Sequence, residues 1–155
     1  MRELDSTNGI GFSAKGHLAL GNLEKMKKPV LAAVNGYALG GGLDLALACD
    51  IIYASESAKL GLQEVTLGVV PGFGGTQRLT RRVGPGRAKE LIFPGKTINA
   101  HEAYGLGIVD RGVPDDLLMA EVYALASTIA GVAPLAVQRA KDCILAAPAM
   151  DIVAG

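Results

Sequence analysis

The chain has 155 residues, of which 50% are hydrophobic, and its 15 Lys and Arg residues balance its 15 Asp and Glu residues. This much apolar sequence is enough to bury a core, which excludes an intrinsically disordered chain. The balanced charge excludes a global electrostatic field that would draw the protein onto nucleic acid or anionic lipid, so we expect neither as a partner.

The first predicted element is a weak helix over residues 10–27. Its apolar positions follow a loose helical spacing, but glycines interrupt it and Pro29 stops it. The next segment, residues 30–34, is a short and continuous apolar run. Such runs are typical of strands that are buried on both faces, as in parallel sheets.

Three consecutive glycines, Gly40, Gly41 and Gly42, precede a helical pattern that reaches Ala48. Glycine lets the backbone turn sharply, and the first amides of the new helix have no acceptor within that helix. These amides can therefore bind an oxyanion. Close packing of strand against helix explains the same glycines without a ligand, and the spacing fits neither of the common glycine-rich phosphate motifs.

The remaining sequence predicts further strands and then a helical layer. Strands are predicted at 50–54, 59–62 and 108–113. Helices are predicted at 76–83 with Thr76 as N-cap, 87–93, 100–106 with Asn99 as N-cap, 115–130 and 134–147. This order indicates a single α/β domain over 1–155, with a core at 28–113 and a C-terminal helical region at 114–155.

Two carboxylates occupy informative positions. Glu64 has largely apolar neighbours, and a buried carboxylate there would suit general acid/base chemistry. A surface glutamate at the end of a strand is the competing interpretation. Asp44 falls in the first turn after the glycines, where the helix dipole favours a carboxylate, and it can equally lie on the solvent side of the helix.

Other titratable residues give weaker patterns. His17 and His101 have no further ligands at metal-binding spacing, so we expect no metal site. Basic residues cluster at Arg78, Arg81, Arg82, Arg87 and Lys89. No aromatic residues are interleaved with this cluster, which favours a solvated helix face or a subunit contact over nucleic-acid binding.

The two cysteines, Cys49 and Cys143, lack metal-ligand spacing, and we expect both to be reduced thiols. The longest apolar runs are shorter than a membrane span, and the first residues lack the apolar segment of a signal peptide. We therefore expect a cytoplasmic protein, or a mitochondrial-matrix protein in a eukaryote, with no membrane partner.

Residues 28–51, KPVLAAVNGYALGGGLDLALACDI, resemble the signature of the enoyl-CoA hydratase/isomerase (crotonase) family. Further motifs match the same family in the same order, namely QEV at 63–65, LGVVPGFGGTQRL at 67–79, AKELI at 88–92 and AYGLGIV at 103–109. The match spans nearly the whole chain. The resemblance implies a crotonase-like fold, with a ββα spiral core over 28–113 that a helical layer follows.

The resemblance also implies roles for individual residues. Gly41 would donate its backbone N–H to the thioester oxygen of an acyl-CoA as that oxygen becomes an enolate. Glu64 matches the family carboxylate that exchanges a proton with a substrate carbon, and Asp44 matches a second carboxylate that positions water. The residues implied to bind substrate are Ala38, Leu39, Gly40, Gly41, Pro71 and Gly72. No separate cofactor is implied, because coenzyme A is part of the substrate.

Two departures from the family pattern affect the predicted function. Asp44 is one methylene shorter than the usual glutamate. The resemblance therefore implies an enoyl-CoA hydratase but leaves open a double-bond isomerase with Glu64 as its single base. The family's other oxyanion donor is expected before Met1, since the FSAKG segment at 12–16 lies too close to Pro29 to supply it.

We therefore expect an internal fragment that lacks both ends of a longer enzyme. A non-catalytic acyl-CoA-binding or oligomer-forming fragment is the remaining alternative. Because family members form trimers or dimers of trimers, the resemblance implies a homotrimer or hexamer.

Overall fold

The structure is a computed structural model that describes residues 9–149. The N-terminal half contains α1 (Gly9–Glu24), β1 (Leu31–Val34), β2 (Tyr37–Leu39), α2 (Gly41–Leu47), β3 (Ile51–Ser55), β4 (Lys59–Gly61) and a 3-10 helix (Glu64–Leu67). The C-terminal half contains α3 (Gly75–Ile92), β5 (Ile98–Asn99), α4 (Ala100–Gly105), β6 (Arg111–Val113), α5 (Leu118–Ala130) and α6 (Pro134–Ala146), with 3-10 helices at Asp115–Leu117 and Ala147–Ala149. The predicted domain limits at residues 1 and 155 lie outside the described residues.

The strands form two small sheets. In the first sheet, β1, β3 and β6 run parallel to one another in that order. In the second sheet, β2 runs parallel to β4, and β4 pairs antiparallel with β5. The pairing of Leu39 with Gly61 brings the end of β2 beside the end of β4. The glycine turn after β2 and the segment after β4 are therefore neighbours, and both sheets contain the parallel pairing that the sequence predicts.

The main core lies between the sheets and helices α2 and α3. Its most deeply buried side chains include Leu43, Ile52, Leu60, Leu79 and Ile108. A smaller cluster attaches α5 to the first sheet, where Val113, Leu118 and Val122 pack against Leu31 and Tyr53. Helix α6 is largely exposed, and Lys141 is its one buried residue.

The predicted elements between residues 30 and 61 are confirmed with one addition. β1 begins at Leu31, and the stretch 37–39 forms a separate strand, β2. The sequence did not predict this strand, because its three residues read as the end of one apolar run. The strand predicted at 59–62 ends at Gly61.

Helix α3 differs from its prediction. The helices predicted at 76–83 and 87–93 are joined, and the junction is a kink at Gly84 (φ 80°, ψ 162°) before Pro85. Thr76 is not an N-cap, because the helix starts at Gly75 after Gly74, whose φ of 98° suits glycine. The first predicted helix, in turn, ends at Glu24 instead of residue 27.

The region around α4 contains one confirmed prediction and one correction. Asn99 caps α4: its side chain accepts from Glu102 N at 2.8 Å, while the Glu102 side chain accepts from Asn99 N at 3.1 Å. The strand predicted at 108–113 contains only Arg111–Val113. Ile108 N and Val109 N instead donate to Ala103 O, at 2.8 and 3.2 Å, which ties these residues to the end of α4.

Among the described residues, no single helix is both long enough and apolar enough to cross a membrane. The segments Asp115–Ala130 and Pro134–Ala149, which meet at an angle of 107°, reach that length and composition only when taken together. Cys49 and Cys143 are both free thiols.

Candidate active site

The glycine turn joins the end of β2 to the start of α2. Gly40 has φ 53°, a conformation that residues with a side chain rarely adopt. Its N–H donates to Gly61 O at 2.8 Å, and its carbonyl accepts from Asp44 N at 3.0 Å. Gly41 is then the first residue of α2 and is exposed. Since the first amides of a helix have no acceptor within it, the Gly41 N–H is suited to bind an anionic oxygen.

Asp44 lies one turn into α2 and is fully buried, with 0% of its surface exposed. The predicted alternative of a solvent-facing Asp44 is therefore wrong. The helix directs this carboxylate towards the start of α3, where a β carbon on Gly75 would overlap Asp44 Oδ1. Only glycine at position 75 leaves room for the carboxylate in this position.

Glu64 is the first residue of the 3-10 helix after β4 and is 9% exposed. The competing interpretation of a surface glutamate is therefore wrong. Its Oε1 would lie 3.2 Å from a β carbon on Gly40. Glu64 thus approaches the glycine turn from the second sheet, while Asp44 approaches it from α2.

The two carboxylates form the unusual chemical feature of this region. Among the described residues, Asp44 Oδ1, Asp44 Oδ2 and Glu64 Oε2 are buried and have no hydrogen-bond partner. Burial raises the pKa of Asp44 to about 6, and the Glu64 carboxylate acts in the same direction. The Arg78 guanidinium opposes them, as do the backbone amides of Phe73 and Gly75, which lie near the carboxylate without forming a hydrogen bond of ordinary geometry. Unpartnered buried carboxylates are costly to a fold, and such groups are typical of sites that bind or transfer a proton.

Phe73 forms an aromatic wall beside the glycine turn. A β carbon on Gly41 would lie 3.3 Å from Phe73 Cε2, which is closer than an ordinary van der Waals contact, so a residue with a side chain would be crowded there. The other edge of the ring packs against Gly16 of α1, where a β carbon would overlap it. Phe73 lies within the motif at 67–79, but its position in the sequence predicts no role for the ring.

Two of the predicted basic residues hold the surroundings of the site together. The guanidinium of Arg78 donates to both carboxylate oxygens of Glu24, each at 2.8 Å, and to Phe73 O at 2.6 Å. Arg82 binds Asp110 at 2.8 Å and donates to Ile108 O at 3.0 Å. The predicted solvated basic face is therefore wrong for Arg78, whose side chain is only 10% exposed. Arg82 is partly exposed, and its contacts join α3 to the segment before β6.

The predicted substrate-binding residues fall into two groups. Ala38, in β2, is buried in the main core, and Leu39 is half-buried beside Gly40. Pro71 is buried, and the carbonyl of Gly72 accepts a hydrogen bond from Ser13 Oγ. Both groups border the glycine turn and the loop that carries Phe73, and their binding roles stay predictions.

Metal-binding groups and clefts away from Asp44 and Glu64 would be further candidate sites. Among residues 9–149, no three His, Cys, Asp or Glu side chains come together as a metal-binding group. Two clefts elsewhere on the surface, of about 550 and 640 Å³, do not include Asp44 or Glu64 in their walls. One lies between α2, α3 and α6, and the other lies beside β4, α4 and β6.

Comparison with known proteins agrees with this geometry. The family model described as enoyl-CoA hydratase/isomerase matches residues 8–152. A short-chain-enoyl-CoA hydratase from Clostridium acetobutylicum is 46% identical over 144 residues, which are 93% of this chain and 55% of that protein. A short-chain-enoyl-CoA hydratase from Clostridioides difficile is 56% identical over 129 residues, which are 83% of each chain.

A solved structure shows the same fold. The enoyl-CoA hydratase from Bacillus anthracis superposes with a TM-score of 0.95 at 42% identity, covering 99% of this chain and 59% of that one. The present chain therefore spans little more than half the length of several proteins that it matches. Since the family model covers nearly the whole sequence, the chain belongs to the enoyl-CoA hydratase/isomerase family.

Proposed function

We propose that this chain carries the proton-transfer centre of an enoyl-CoA hydratase, which adds water reversibly across the double bond of a trans-2-enoyl-CoA. The observation that carries the proposal is the pair of buried carboxylates, Asp44 and Glu64, beside the exposed residue Gly41: three of their four oxygens are buried without a hydrogen-bond partner. Addition of water needs two positioned carboxyl groups and a donor for the thioester oxygen. The names of the relatives support the same reaction.

In the proposed reaction, the Gly41 N–H donates to the thioester oxygen and stabilises the negative charge that develops there. A single donor of this kind is typically worth about 3 kcal/mol of barrier. Asp44 orients a water molecule and accepts its proton as the water oxygen bonds to the β carbon. Glu64 gives its proton to the α carbon, and a proton then returns from Asp44 to Glu64 through solvent, which restores the starting state.

The test is the hydration of crotonyl-CoA, followed by the loss of absorbance of the conjugated thioester. Glu64→Gln and Asp44→Asn should each lower kcat by about 100-fold or more, because each removes a positioned acid or base. Glu90→Gln is the matched control, since Glu90 lies exposed on α3. Equal activity of all three variants would contradict the proposal.

One observation favours a second candidate, a double-bond isomerase that uses Glu64 alone. Asp44 is short and is confined against Gly75, so the site could act through a single base. An isomerase would convert a 3-enoyl-CoA to its 2-enoyl isomer, would not hydrate crotonyl-CoA, and would retain its activity in Asp44→Asn. Binding of acyl-CoA with neither reaction would instead identify a non-catalytic fragment.

A further inference from the structure

Arg78 lies in the first turn of α3 and is bound to two segments that are far apart in the sequence. Its Nε and Nη2 donate to the two carboxylate oxygens of Glu24, at the end of α1, each at 2.8 Å. Its Nη1 donates to the carbonyl of Phe73 at 2.6 Å. A guanidinium whose planar fork is filled in this way is held in one orientation. Arg78 therefore joins the end of α1 to the loop that precedes α3.

The backbone of this loop leaves room for the guanidinium. Gly74 has φ 98°, and a β carbon there would lie 2.5 Å from Arg78 Nη1. A larger residue at position 74 would therefore push the guanidinium away from the Phe73 carbonyl. His17 of α1 lies on the same side, since its Cε1 would be 3.4 Å from that β carbon. The last turn of the loop before α3 is thus packed between Arg78 and α1.

The same few residues, 73–75, also limit the position of Asp44. A β carbon on Gly75 would overlap Asp44 Oδ1, and the amides of Phe73 and Gly75 lie near the carboxylate. Among the described residues, neither oxygen of Asp44 has a hydrogen-bond partner. The position of this carboxylate therefore depends on the residues that pack against it, and a shift of residues 73–75 would displace it.

We propose that Arg78 is a positioning residue for the reaction: it fixes residues 73–75 against α1, and these residues hold the Asp44 carboxylate where it directs water. The inference rests on the proposed function, because it gives Asp44 the task of orienting water. Arg78 acts through Asp44 and is not itself a catalytic residue. Its replacement should therefore lower kcat more than it changes KM.

The kinetic test measures kcat and KM for crotonyl-CoA in the unaltered chain, Arg78→Lys and Glu24→Gln. Lysine keeps the positive charge but lacks the planar fork that binds Glu24 with two donors while a third reaches Phe73 O. Both variants should lower kcat about tenfold or more per folded molecule and change KM less than about threefold, because errors of position slow the chemical step. Urea unfolding gives the folded fraction of each variant.

The matched control is Arg81→Lys, because Arg81 is exposed on the same helix and its replacement should leave kcat unchanged. An unaltered kcat per folded molecule in Arg78→Lys overturns the proposal, since the charge alone would then be sufficient. A loss that appears only in the folded fraction also overturns it, because Arg78 would then stabilise the fold without positioning Asp44.

Amide signals in NMR test the same role without any reaction. The amides of Phe73 and Gly75 lie beside Asp44, so in the unaltered chain their chemical shifts should change with a midpoint near the Asp44 pKa of about 6. Arg78→Lys and Glu24→Gln should lose most of this response, because residues 73–75 move away from the carboxylate. A response of unchanged size in both variants overturns the proposal.

Other charged groups near Asp44 define one further control. Glu64 and Arg78 face Asp44, while Glu24 and His17 of α1 lie behind Arg78. A histidine can titrate in the same pH range, so His17→Gln is included and should keep the amide response. Loss of the response in His17→Gln would show that Asp44 does not titrate beside residues 73–75, which overturns the proposal.

The two measurements separate this inference from the proposed function. If the unaltered chain does not hydrate crotonyl-CoA but Arg78→Lys and Glu24→Gln lose the amide response, the hydratase proposal fails and the positioning role of Arg78 stands. If hydration occurs and both variants keep their kcat and the amide response, the hydratase proposal stands and the positioning role fails.

Discussion

At the scale of single residues, Asp44 is an aspartate whose sequence position would suit the protein surface, but the fold buries its carboxylate at the candidate active site. An aspartate in the first turn of a helix is common, and its sequence position does not indicate burial. Here α2 turns it inward beneath the glycine turn, where its oxygens have no partner among the described residues. The carboxylate is therefore a buried polar group that a hydrogen bond from a ligand or a water molecule would stabilise.

The titration of Asp44 provides the first prediction. Burial raises its pKa from 3.8 to about 6, so the folded chain binds a proton there more tightly than the unfolded chain does. This group therefore contributes stability at pH 4 and below that is lost as the pH rises to about 6, with a total of at most ~3 kcal/mol. In urea unfolding, Asp44→Asn should be more stable than the unaltered chain at pH 7, and the difference should shrink towards pH 4.

The titration of Asp44 should also appear in the pH dependence of the hydration rate. If ionised Asp44 accepts the proton of water, kcat/KM for hydration should fall as the pH drops below the Asp44 pKa of about 6. The residual activity of Asp44→Asn should lack this inflection. A profile that is flat across this range in the unaltered chain would argue against Asp44 as the base.

Gly75 gives the third prediction at this scale. A β carbon at position 75 would overlap Asp44 Oδ1, so Gly75→Ala should displace that carboxylate. Small errors of position at a reacting group cost about 100-fold in rate, and we expect a loss of that order in hydration. Gly86→Ala is the control in the same helix, because a β carbon there has no neighbour within 4 Å. Equal rates for the two variants would show that Gly75 does not position Asp44.

At the scale of elements, ion pairs attach two helices, α1 and α6, that contribute little to the apolar core. Helix α1 has one buried residue, Leu20, and it is attached to α3 through the pairing of Glu24 with Arg78. Helix α6 is attached in a similar way, since Lys141 Nζ donates to Asp50 Oδ2 at 2.7 Å. The same oxygen accepts from Val30 N, also at 2.7 Å, so one carboxylate links α6 to the start of the first sheet.

The Lys141 contact leads to a stability prediction. Its side chain is only 8% exposed, and Lys141→Met would keep the apolar part of the side chain while removing the charge that pairs with Asp50. Breaking a fully buried ion pair costs about 3 kcal/mol. Because Asp50 is 22% exposed and still accepts from Val30 N, we expect a smaller loss, about 1 to 2 kcal/mol, in the free energy of unfolding. Arg139→Met on the same helix is the control, because Arg139 is 81% exposed and its ion pair should contribute little. A similar small effect in both variants would refute the tethering role.

At the scale of the whole molecule, the two sheets bring the site together. The parallel pairing of β2 with β4 aligns the glycine turn with Glu64, and the packing of α2 against α3 aligns Asp44 with Gly75. Several large apolar side chains nevertheless stay on the surface of the described part, including Tyr37, Leu67, Val70, Leu135 and Ile144, each more than 60% exposed. Exposed apolar surface of this kind marks contact with another chain or segment.

We predict that the chain associates with copies of itself, as the family resemblance implies. Light scattering after size-exclusion chromatography should give three or six times the monomer mass of 15.9 kDa. Leu67→Lys, which places a charge on an exposed apolar position beside the site, should shift the mass towards the monomer, while Lys89→Met on exposed α3 surface should leave it unchanged. A monomer mass at micromolar concentration would contradict this prediction.

The sequence by itself determined the element types, the glycine turn and the family, because these depend on local spacing and on uninterrupted motifs. The errors of the sequence-based prediction fall where distant contacts decide the structure. Strands β2 and β5 are too short to recognise without their partner β4. Ile108 and Val109 have the apolar sequence of a strand, but their amides bind the end of α4. The burial of Asp44 and Glu64, the bracing role of Arg78 and the position of Phe73 between α1 and the glycine turn needed the tertiary structure. Each of these depends on segments far apart in the chain packing together, and no local pattern records which face such packing will cover.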